Sequence, residues 1–256
     1  MTPNISPPTY KHPIRLLEEL SLNAWPSLQS VYDDGWMLRF AQGYTRRANS
    51  VNPLYPPGEN LDEKIRRSEN WYRARKQETV FKMTPLALPK ELDSVLERQG
   101  YKEEAVTSVQ TVSLGKLDTP QEEAITLVPE LNDDWLTLFC QMRDLNLRHF
   151  DTMRSIIKSI VPARTFALIY RDNVPAALGF AVAEKGYVGL YDITTAGNMR
   201  NQGIGRQLVL YLLNWGKAHG ATNAYLQVMT TNAPALHLYQ SLGFEEVYQY
   251  WYRVKA

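Results

Sequence analysis

The segment that most constrains the fold is a strand-to-helix junction late in the chain, YDITTAGNMRNQGIGRQLVLYLLNWGKAHG, residues 191–220. An apolar run leads into small polar residues, then into Arg200, and then into Gly203 and Gly205, which one residue separates. A helical pattern follows at once, because apolar residues recur there at the spacing of one helix face. We expect these apolar residues in the core: Ile204, Leu208, Tyr211, Leu212 and Trp215.

Two glycines in a turn that opens a helix expose successive backbone N–H groups, because no Cβ atom shields them. The helix dipole adds positive potential at the same point, and Arg200 and Arg206 flank the turn. The junction therefore predicts a site for an anion, most naturally a pyrophosphate. A dinucleotide-binding fingerprint would need a third glycine and a later acidic strand end, and the segment has neither.

Helix and strand patterns mix along the whole chain, which predicts an α/β (α+β) protein with mixed sheets. The two halves end alike, since LERQGYKEEAVTSVQTVSL and LYQSLGFEEVYQYWYRVKA share a helix, a glycine, an aromatic residue, an acidic pair and an alternating strand. Such a unit is common enough for chance similarity to be one explanation, and duplication of one α/β unit is the other. Duplication gives these boundaries: a flexible N-terminus at 1–13, a first domain at 14–115, a linker at 116–120 and a second domain at 121–256.

Composition narrows the choice of partners. A chain of 256 residues is long enough for two domains, and its net charge of +1 gives no reason to expect nucleic acid or a membrane as partner. The single cysteine, Cys140, excludes a disulfide within the chain and fits a buried position in a protein of the reducing cytoplasm. The four histidines lie far apart, without the spacing of metal ligands. We therefore expect a soluble cytoplasmic protein without a metal site.

The junction also carries a resemblance to a known family. RNQGIG, residues 200–205, is similar to the Arg/Gln-x-x-Gly-x-Gly/Ala signature of the GNAT acetyltransferase superfamily, and NAPALHLYQSLGF resembles that family's Asn-x-x-Ala-x-x-Leu-Tyr-x-x-x-Gly-Phe segment. The strands LYDITT and LQVM stand at the matching places around the helix. The resemblance covers residues 121–256, and the first half looks like a degenerate second copy. It implies two GNAT-like domains, each a twisted mixed sheet flanked by helices, of which the second is catalytic.

The resemblance implies acetyl-CoA as cosubstrate. Backbone groups of the strand before the signature would bind the pantetheine arm, at Ile193, Thr194 and Thr195. The turn would bind the pyrophosphate, at Arg200, Asn201, Gln202, Gly203, Ile204, Gly205 and Arg206. Asn232 matches a cofactor-contacting position, although with Pro234 it equally suits the N-cap of a helix.

The same resemblance implies the catalytic groups. Tyr239 matches the tyrosine that protonates the departing CoA thiolate, which suits a phenol of pKa near 10; a plain core tyrosine is the alternative. Several members have a glutamate as general base where this chain has Gln227, and glutamine accepts no proton from an ammonium group. Asp192, on the adjacent strand, is the nearest carboxylate. It could act as base, bind the substrate amine, or make a structural hydrogen bond.

The implied activity is N-acetyl transfer from acetyl-CoA to a primary amine by direct attack in a ternary complex. The alternatives are a non-catalytic acetyl-CoA-binding or regulatory module, and a protein-amine acetyltransferase that uses its first half as a docking platform. In this family the first two helices of the catalytic domain govern the choice of acceptor, here DDWLTLFCQMRDLNLRHFDTMRSIIKSI. In the first half, Arg46 and Arg47 suit either an anion or a salt bridge. A homodimer is compatible with the sequence.

Overall fold

The computed structural model describes residues 13–121 and 124–256. The flexible N-terminus expected at 1–13 lies outside these ranges, apart from Pro13. The α-helices of the described residues are α1 (Pro13–Ala24), α2 (Leu61–Arg73), α3 (Leu92–Arg98), α4 (Asp133–Met142), α5 (Phe150–Lys158), α6 (Ile204–Ala218) and α7 (Ala233–Ser241). The strands are β1 (Gln29–Asp33), β2 (Trp36–Phe40), β3 (Val51–Pro53), β4 (Thr79–Met83), β5 (Lys102–Ser113), β6 (Ala124–Val128), β7 (Ala163–Arg171), β8 (Val174–Glu184), β9 (Tyr187–Thr195), β10 (Asn223–Met229) and β11 (Glu245–Lys255).

Local sequence explains where several helices begin. The side chains of Asn60, Asn132 and Asn232 each accept a backbone N–H from the first turn of the following helix, α2, α4 and α7 respectively. Such a cap satisfies donors that have no partner within the helix. Acidic residues also stand in the first turns of α2 and α4, where the helix dipole favours negative charge.

The strands of the described residues form one mixed sheet in the order β1-β2-β3-β4-β11-β5-β10-β9-β8-β7-β6. Two pairs within it are parallel, β3 with β4 and β9 with β10, and each is joined by a crossover helix, α2 and α6 respectively. Between β2 and the short β3 the chain forms a 3₁₀ turn at Arg46–Ala48.

The last strand of each half lies against the other half. β11, from the end of the chain, pairs with β4, while β5, from the end of the first half, pairs with β10. β5 and β11 pair with each other in the centre of the sheet. The two halves therefore share one continuous backbone hydrogen-bond ladder.

Apolar layers cover both faces of the sheet. On one face α1, α4 and α5 bury the aromatic cluster of Trp25, Trp135, Phe166 and Phe180. On the other face α6 buries Ile204, Leu208 and Leu212, as expected from the sequence. The expectation for Tyr211 and Trp215 is wrong, because both are only half-buried and Val209 and Leu213 are buried instead. The buried stripe is wider than the sequence pattern indicated because Gly216, with no side chain of its own, packs directly on Val188 of β9.

Candidate active site

The two central parallel strands of the second half diverge. β9 and β10 are paired from Tyr187 and Asn223 as far as Leu190 and Leu226. Beyond that point β9 continues to Thr195, pairing only with β8 on its far side. An extra residue in β9 causes a bulge, since Tyr191 pairs with Phe180 while Thr194 already pairs with Leu178. The backbone edge of β9 that faces β10 is therefore open over the predicted cofactor residues Ile193, Thr194 and Thr195.

The bulge also decides where the side chains of β9 point. Ile193 packs with the apolar layer under α6, and the Oγ1 atom of Thr195 lies 3.0 Å from the position that a Cβ atom on Gly205 would occupy. Asp192 has a positive φ of 52° and lies on the opposite face, against arginine side chains. Asp192 is therefore separated from Ile193 and Thr195 by the thickness of the sheet.

The glycine turn opens α6 beside this divergence. Gly203 is the N-cap residue of α6 with φ 79°, in the left-handed region, and no side chain caps the helix. Asn201 also has a positive φ, of 61°, and residues 200–203 are exposed. A Cβ atom at Gly205 would crowd Thr195, so glycine there permits the close approach of α6 to β9. The first backbone N–H groups of α6 thus face outward next to the open edge of β9.

The side chain of Arg206, one of the predicted phosphate-binding residues, already contacts other side chains of the protein. The guanidinium of Arg206 contacts the carboxylate of Asp118 at 2.5 Å and the hydroxyl of Ser241 at 3.2 Å. These contacts tie α6 to the segment before β6 and to the end of α7. The backbone N–H of Arg206 lies in the first turn of α6, so any contact with an anion would come from the backbone.

Asn232 and Tyr239 both lie on α7, the helix that follows β10. Asn232 caps it, because its Oδ1 atom accepts the N–H of Ala235 at 3.3 Å. Tyr239 is 8% exposed and its ring contacts Phe244. Burial, reinforced by the negative charge of Asp192, raises the pKa of Tyr239 to about 12. The phenol therefore keeps its proton at neutral pH.

Asp192 lies between arginines from both halves of the chain. Its Oδ1 atom is 3.4 Å from the guanidinium of Arg47, in the first half, and 3.6 Å from that of Arg143, at the end of α4. The side chain of Asp192 is only 7% exposed, and its Oδ2 atom has no hydrogen-bond partner among the described residues. We call Asp192, Arg47 and Arg143 the Asp192 cluster. The sequence left Arg47 open between an anion and a salt bridge, and the structure shows the salt bridge.

Gln227, at the position where several members of the resembled superfamily have a glutamate, makes hydrogen bonds on two sides. Its Nε2 atom donates to the hydroxyl of Ser21 on α1 at 2.7 Å, and its Oε1 atom accepts from the hydroxyl of Tyr250 on β11 at 3.0 Å. Because α1 belongs to the first half, a helix from that half covers the place of the missing base.

A groove of about 950 Å³ lies near the Asp192 cluster, between the first half and the connection from α4 to α5. Arg46 lines it, and the next residue, Arg47, binds Asp192. His149 also lines it, with its ring 5.2 Å from the ring of Tyr44. Burial, followed by the negative charge of Asp192, raises the pKa of Tyr44.

Sequence reasoning missed Arg143, Tyr44 and Trp25 as parts of this site. The guanidinium carbon of Arg47 lies 4.3 Å from the centre of the Trp25 ring, in a cation–π contact. Arg143 falls in the helical segment that the family resemblance associates with acceptor choice, and that was the available signal. Trp25 and Tyr44 gave none, because only the shared sheet brings the first half against β9.

Two absences apply to the part of the chain that the structure describes. Residues 13–121 and 124–256 hold no group of three or more His, Cys, Asp or Glu side chains arranged to bind a metal ion. None of the helices in these ranges has the length and apolar character needed to cross a membrane. Cys140 is a free, buried cysteine, as expected.

The fold and the site define the class of protein. The mixed sheet covered by helices has the fold of a solved GNAT-type N-acetyltransferase. The structure of a GCN5-related N-acetyltransferase from Kribbella flavida superposes with a TM-score of 0.68 over 96% of both chains, at 16% identity. The chain has the mixed α/β fold that the sequence predicted, and the family and relatives named below, which are acetyltransferases, make it an acyltransferase of the GNAT type.

Within that class, the chain belongs to the family described as "Probable histone acetyltransferase Rv0428c C-terminal", which matches residues 12–253. It is 28% identical over 248 residues to the "Uncharacterized N-acetyltransferase YobR" of Bacillus subtilis (strain 168), covering 94% of this chain and 98% of the relative. It is 29% identical over 237 residues to the "Probable histone acetyltransferase Rv0428c" of Mycobacterium tuberculosis (strain ATCC 25618 / H37Rv), covering 90% of this chain and 70% of that protein.

Proposed function

We propose that this acetyltransferase transfers the acetyl group of acetyl-CoA to a primary amine by direct attack in a ternary complex. The observation that carries the proposal is the parting of β9 and β10 beside the uncapped N-terminus of α6. An extended arm with amide groups can pair with the open backbone edge of β9, and a pyrophosphate can accept the N–H groups of the α6 turn.

The cofactor residues follow from this arrangement. Ile193, Thr194 and Thr195 would offer backbone groups to the pantetheine arm. The residues from Arg200 to Arg206 would hold the pyrophosphate, through backbone N–H groups and the exposed side chain of Arg200. For Asn232 we favour the capping role, since its Oδ1 atom is already occupied by the N–H of Ala235.

The transfer itself needs two proton movements. The neutral amine attacks the thioester carbonyl carbon, the C–N bond forms, and the C–S bond then breaks. Backbone N–H groups near Ile193 would polarise the carbonyl oxygen. Asp192, through its unpartnered Oδ2 atom, would accept the proton that leaves the nitrogen. Tyr239 would protonate the departing sulfur, because its phenol stays neutral at pH 7.

We also propose that the first half is a degenerate copy of the second. The order β1-β2-β3-α2-β4-α3-β5 repeats the order β7-β8-β9-α6-β10-α7-β11, with a parallel crossover in the same place of each. The glycine turn occurs only in the second half. Under this proposal the copies span 14–115 and 121–256, joined by 116–120, and the enzyme acts in the cytoplasm.

A thermal shift with acetyl-CoA tests the proposal. Ligand at about 100 times its dissociation constant adds about 2.7 kcal/mol, which raises Tm by roughly 5–10 °C for a chain of this size. Gly203→Trp should abolish the rise by blocking the α6 turn. Gly220→Trp is the matched control, because Gly220 also has a positive φ and open surroundings but follows the far end of α6.

The outcomes separate the proposal from its rival. No rise at millimolar acetyl-CoA in the unaltered protein would overturn cofactor binding at this site. A rise without turnover on any primary amine would leave a non-catalytic acetyl-CoA-binding module, the reading that the absence of a carboxylate at Gln227 favours. A rise together with release of free CoA in the presence of an amine supports the transferase.

A further inference from the structure

The loop from Ala41 to Asn49, in the first half, holds an unfavourable backbone conformation. Gln42 and Thr45 have φ values of 51° and 57°, in the left-handed region, where a β-branched residue such as threonine is rarely found. The side chain of Asn49 clamps the loop. Its Oδ1 atom accepts the N–H groups of Ala41 and Gly43 at 2.7 and 3.0 Å, and its Nδ2 atom donates to the carbonyls of Tyr44 and Thr45 at 2.8 Å.

Strain of this kind persists where the surrounding structure enforces it, and it clusters at functional sites. This loop positions two consecutive arginines, one at Asp192 and one in the groove. Arg47 stacks on Trp25 and reaches Asp192, in the second half. Arg46 lines the groove, where it pairs with Glu104 at 2.7 Å and with Glu78 at 3.8 Å.

The groove is strongly basic. The charged and titratable residues that line it are Arg46, Arg75, Lys76, Glu78, Arg148 and His149. Glu78 is the sole carboxylate in that lining, and together with Glu104 it offsets Arg46. Arg75, Lys76 and Arg148 make no salt bridge within the part of the chain that the structure describes. The lining thus keeps a positive excess although the net charge of the whole chain is only +1.

Among the described residues, one buried acceptor atom in the Asp192 cluster and one in the groove lining have no hydrogen-bond partner. Asp192 Oδ2 is one, and the Oε1 atom of Gln77, whose side chain lines the groove, is the other. A buried oxygen without a donor costs about 1–3 kcal/mol, so each is suited to a donor brought by a ligand. An ammonium or amine can supply the donor that Asp192 lacks.

We propose that the acceptor is a small amine that also carries a carboxylate or phosphate group, and that the first half selects it. The amine would meet Asp192, and the anionic group would bind the basic groove. The inference rests on the proposed acetyl transfer and adds the class of its acceptor. The volume of about 950 Å³ suits a small molecule. A lysine-rich peptide, of the kind a histone acetyltransferase modifies, would be repelled by the same cations.

Matched pairs of amines test the proposal. We would compare glucosamine 6-phosphate with glucosamine, and glutamate with its diamide, beside a lysine-rich peptide, and measure both acetyl transfer and calorimetric binding in the presence of CoA. Within each pair, the amine with the anionic group should have a kcat/KM at least tenfold higher than the partner that lacks it. The phosphate and carboxylate pairs show which anion is preferred. Equal values within both pairs, or a preference for the peptide, would overturn the inference while leaving acetyl transfer intact.

Arg148→Gln is the diagnostic variant, because Arg148 lines the groove outside the proposed transfer machinery. Loss of one charge-assisted contact at an exposed position should raise KM for the anionic amine about tenfold, with kcat unchanged. Lys158→Gln, near the end of α5 and outside the groove, is the control that removes the same charge. If no amine is acetylated, the proposed function fails, and calorimetry still decides the groove. Failure of both anionic amines to bind would refute it.

Discussion

Replacing Tyr239 with phenylalanine removes one hydroxyl from a buried site. It tests the proposed role of Tyr239 as the acid that protonates the CoA thiolate. The phenol has a pKa of about 12 because burial, and secondly the charge of Asp192, disfavour the phenolate. An ordinary thiol has a pKa near 8.5, well below that of Tyr239. Proton transfer from the phenol to the CoA thiolate is therefore favourable only if the site also raises the pKa of the thiol. With an unperturbed thiolate, the transfer would be uphill by roughly 3.5 pKa units, or about 5 kcal/mol.

That magnitude limits the effect we expect. General acids contribute roughly 10²- to 10⁴-fold to rate, and the unfavourable pKa difference places Tyr239 at the low end. We therefore expect Tyr239→Phe to lower kcat about 100-fold while the thermal shift with acetyl-CoA stays unchanged. Between pH 6 and 10 the unaltered enzyme should show no loss of activity from ionisation of this phenol, since its pKa is about 12.

The assay is release of free CoA at saturating acetyl-CoA, followed from pH 6 to 10. Tyr101→Phe is the control, because Tyr101 is also a buried tyrosine but lies in the first half, donating to Glu69. A Tyr239→Phe enzyme whose kcat stays within threefold of the unaltered value would refute the assignment. The tyrosine would then be a core residue, packed on Phe244.

Two further predictions concern stability. Lys82→Met should destabilise the protein by about 3–5 kcal/mol in urea unfolding, because it leaves the buried Glu18 carboxylate, 2.6 Å from that ammonium, without its cation; adding Glu18→Gln should recover part of the loss, and purely additive losses would contradict this account. The Arg253 guanidinium, whose hydrogen bonds outweigh partial burial, lowers the pKa of Asp93. The stability that this ion pair contributes is therefore complete above the unfolded-state pKa of Asp93, about 3.9, and is lost as pH falls through the lower folded-state pKa. Asp93→Asn should therefore cost more stability at pH 7 than at pH 2, and an equal cost at both would refute the ion pair as the cause.

The sequence was most informative where a function depends on local backbone. The glycine turn, the start of α6 and the cap at Asn232 each depend on a few neighbouring residues, and all three are present in the structure. The pairing order of the strands depends instead on contacts far apart in the chain. No local pattern indicates that β11 lies between β4 and β5, because alternation along β11 suits any sheet that buries it.

The acceptor side of the site was accessible from sequence only in part. Asp192 was identified from sequence as the nearest carboxylate, on the strand adjacent to that of Gln227, but its pairing with Arg47 joins residues 145 positions apart. That contact depends on the exchange of β5 and β11, which brings the two halves together. It also depends on the loop that Asn49 clamps, and positive φ values at Gln42 and Thr45 are not what either residue type predicts.

The replacement of a family glutamate by Gln227 and the presence of the first half are connected physically. Gln227 needs an amide there, because it donates to Ser21 of α1 and accepts from Tyr250 of β11, and a carboxylate could not donate to the serine. The helix α1 is further fixed by Glu18, which accepts from Tyr248 of β11 at 2.5 Å. The side chains of Gln227 and Glu18 thus hold α1 against the central strands.

Proton acceptance at position 227 is therefore replaced by a structural contact between the halves. The carboxylate that we propose for the reaction is Asp192, across the opening between β9 and β10. The same first half that contacts Gln227 supplies Arg47, which pairs with Asp192. A second half on its own would lack Arg47, the clamped loop and the strand β5 that pairs with β10. The first half, which has no glycine turn, is in this view an integral wall of the acceptor site.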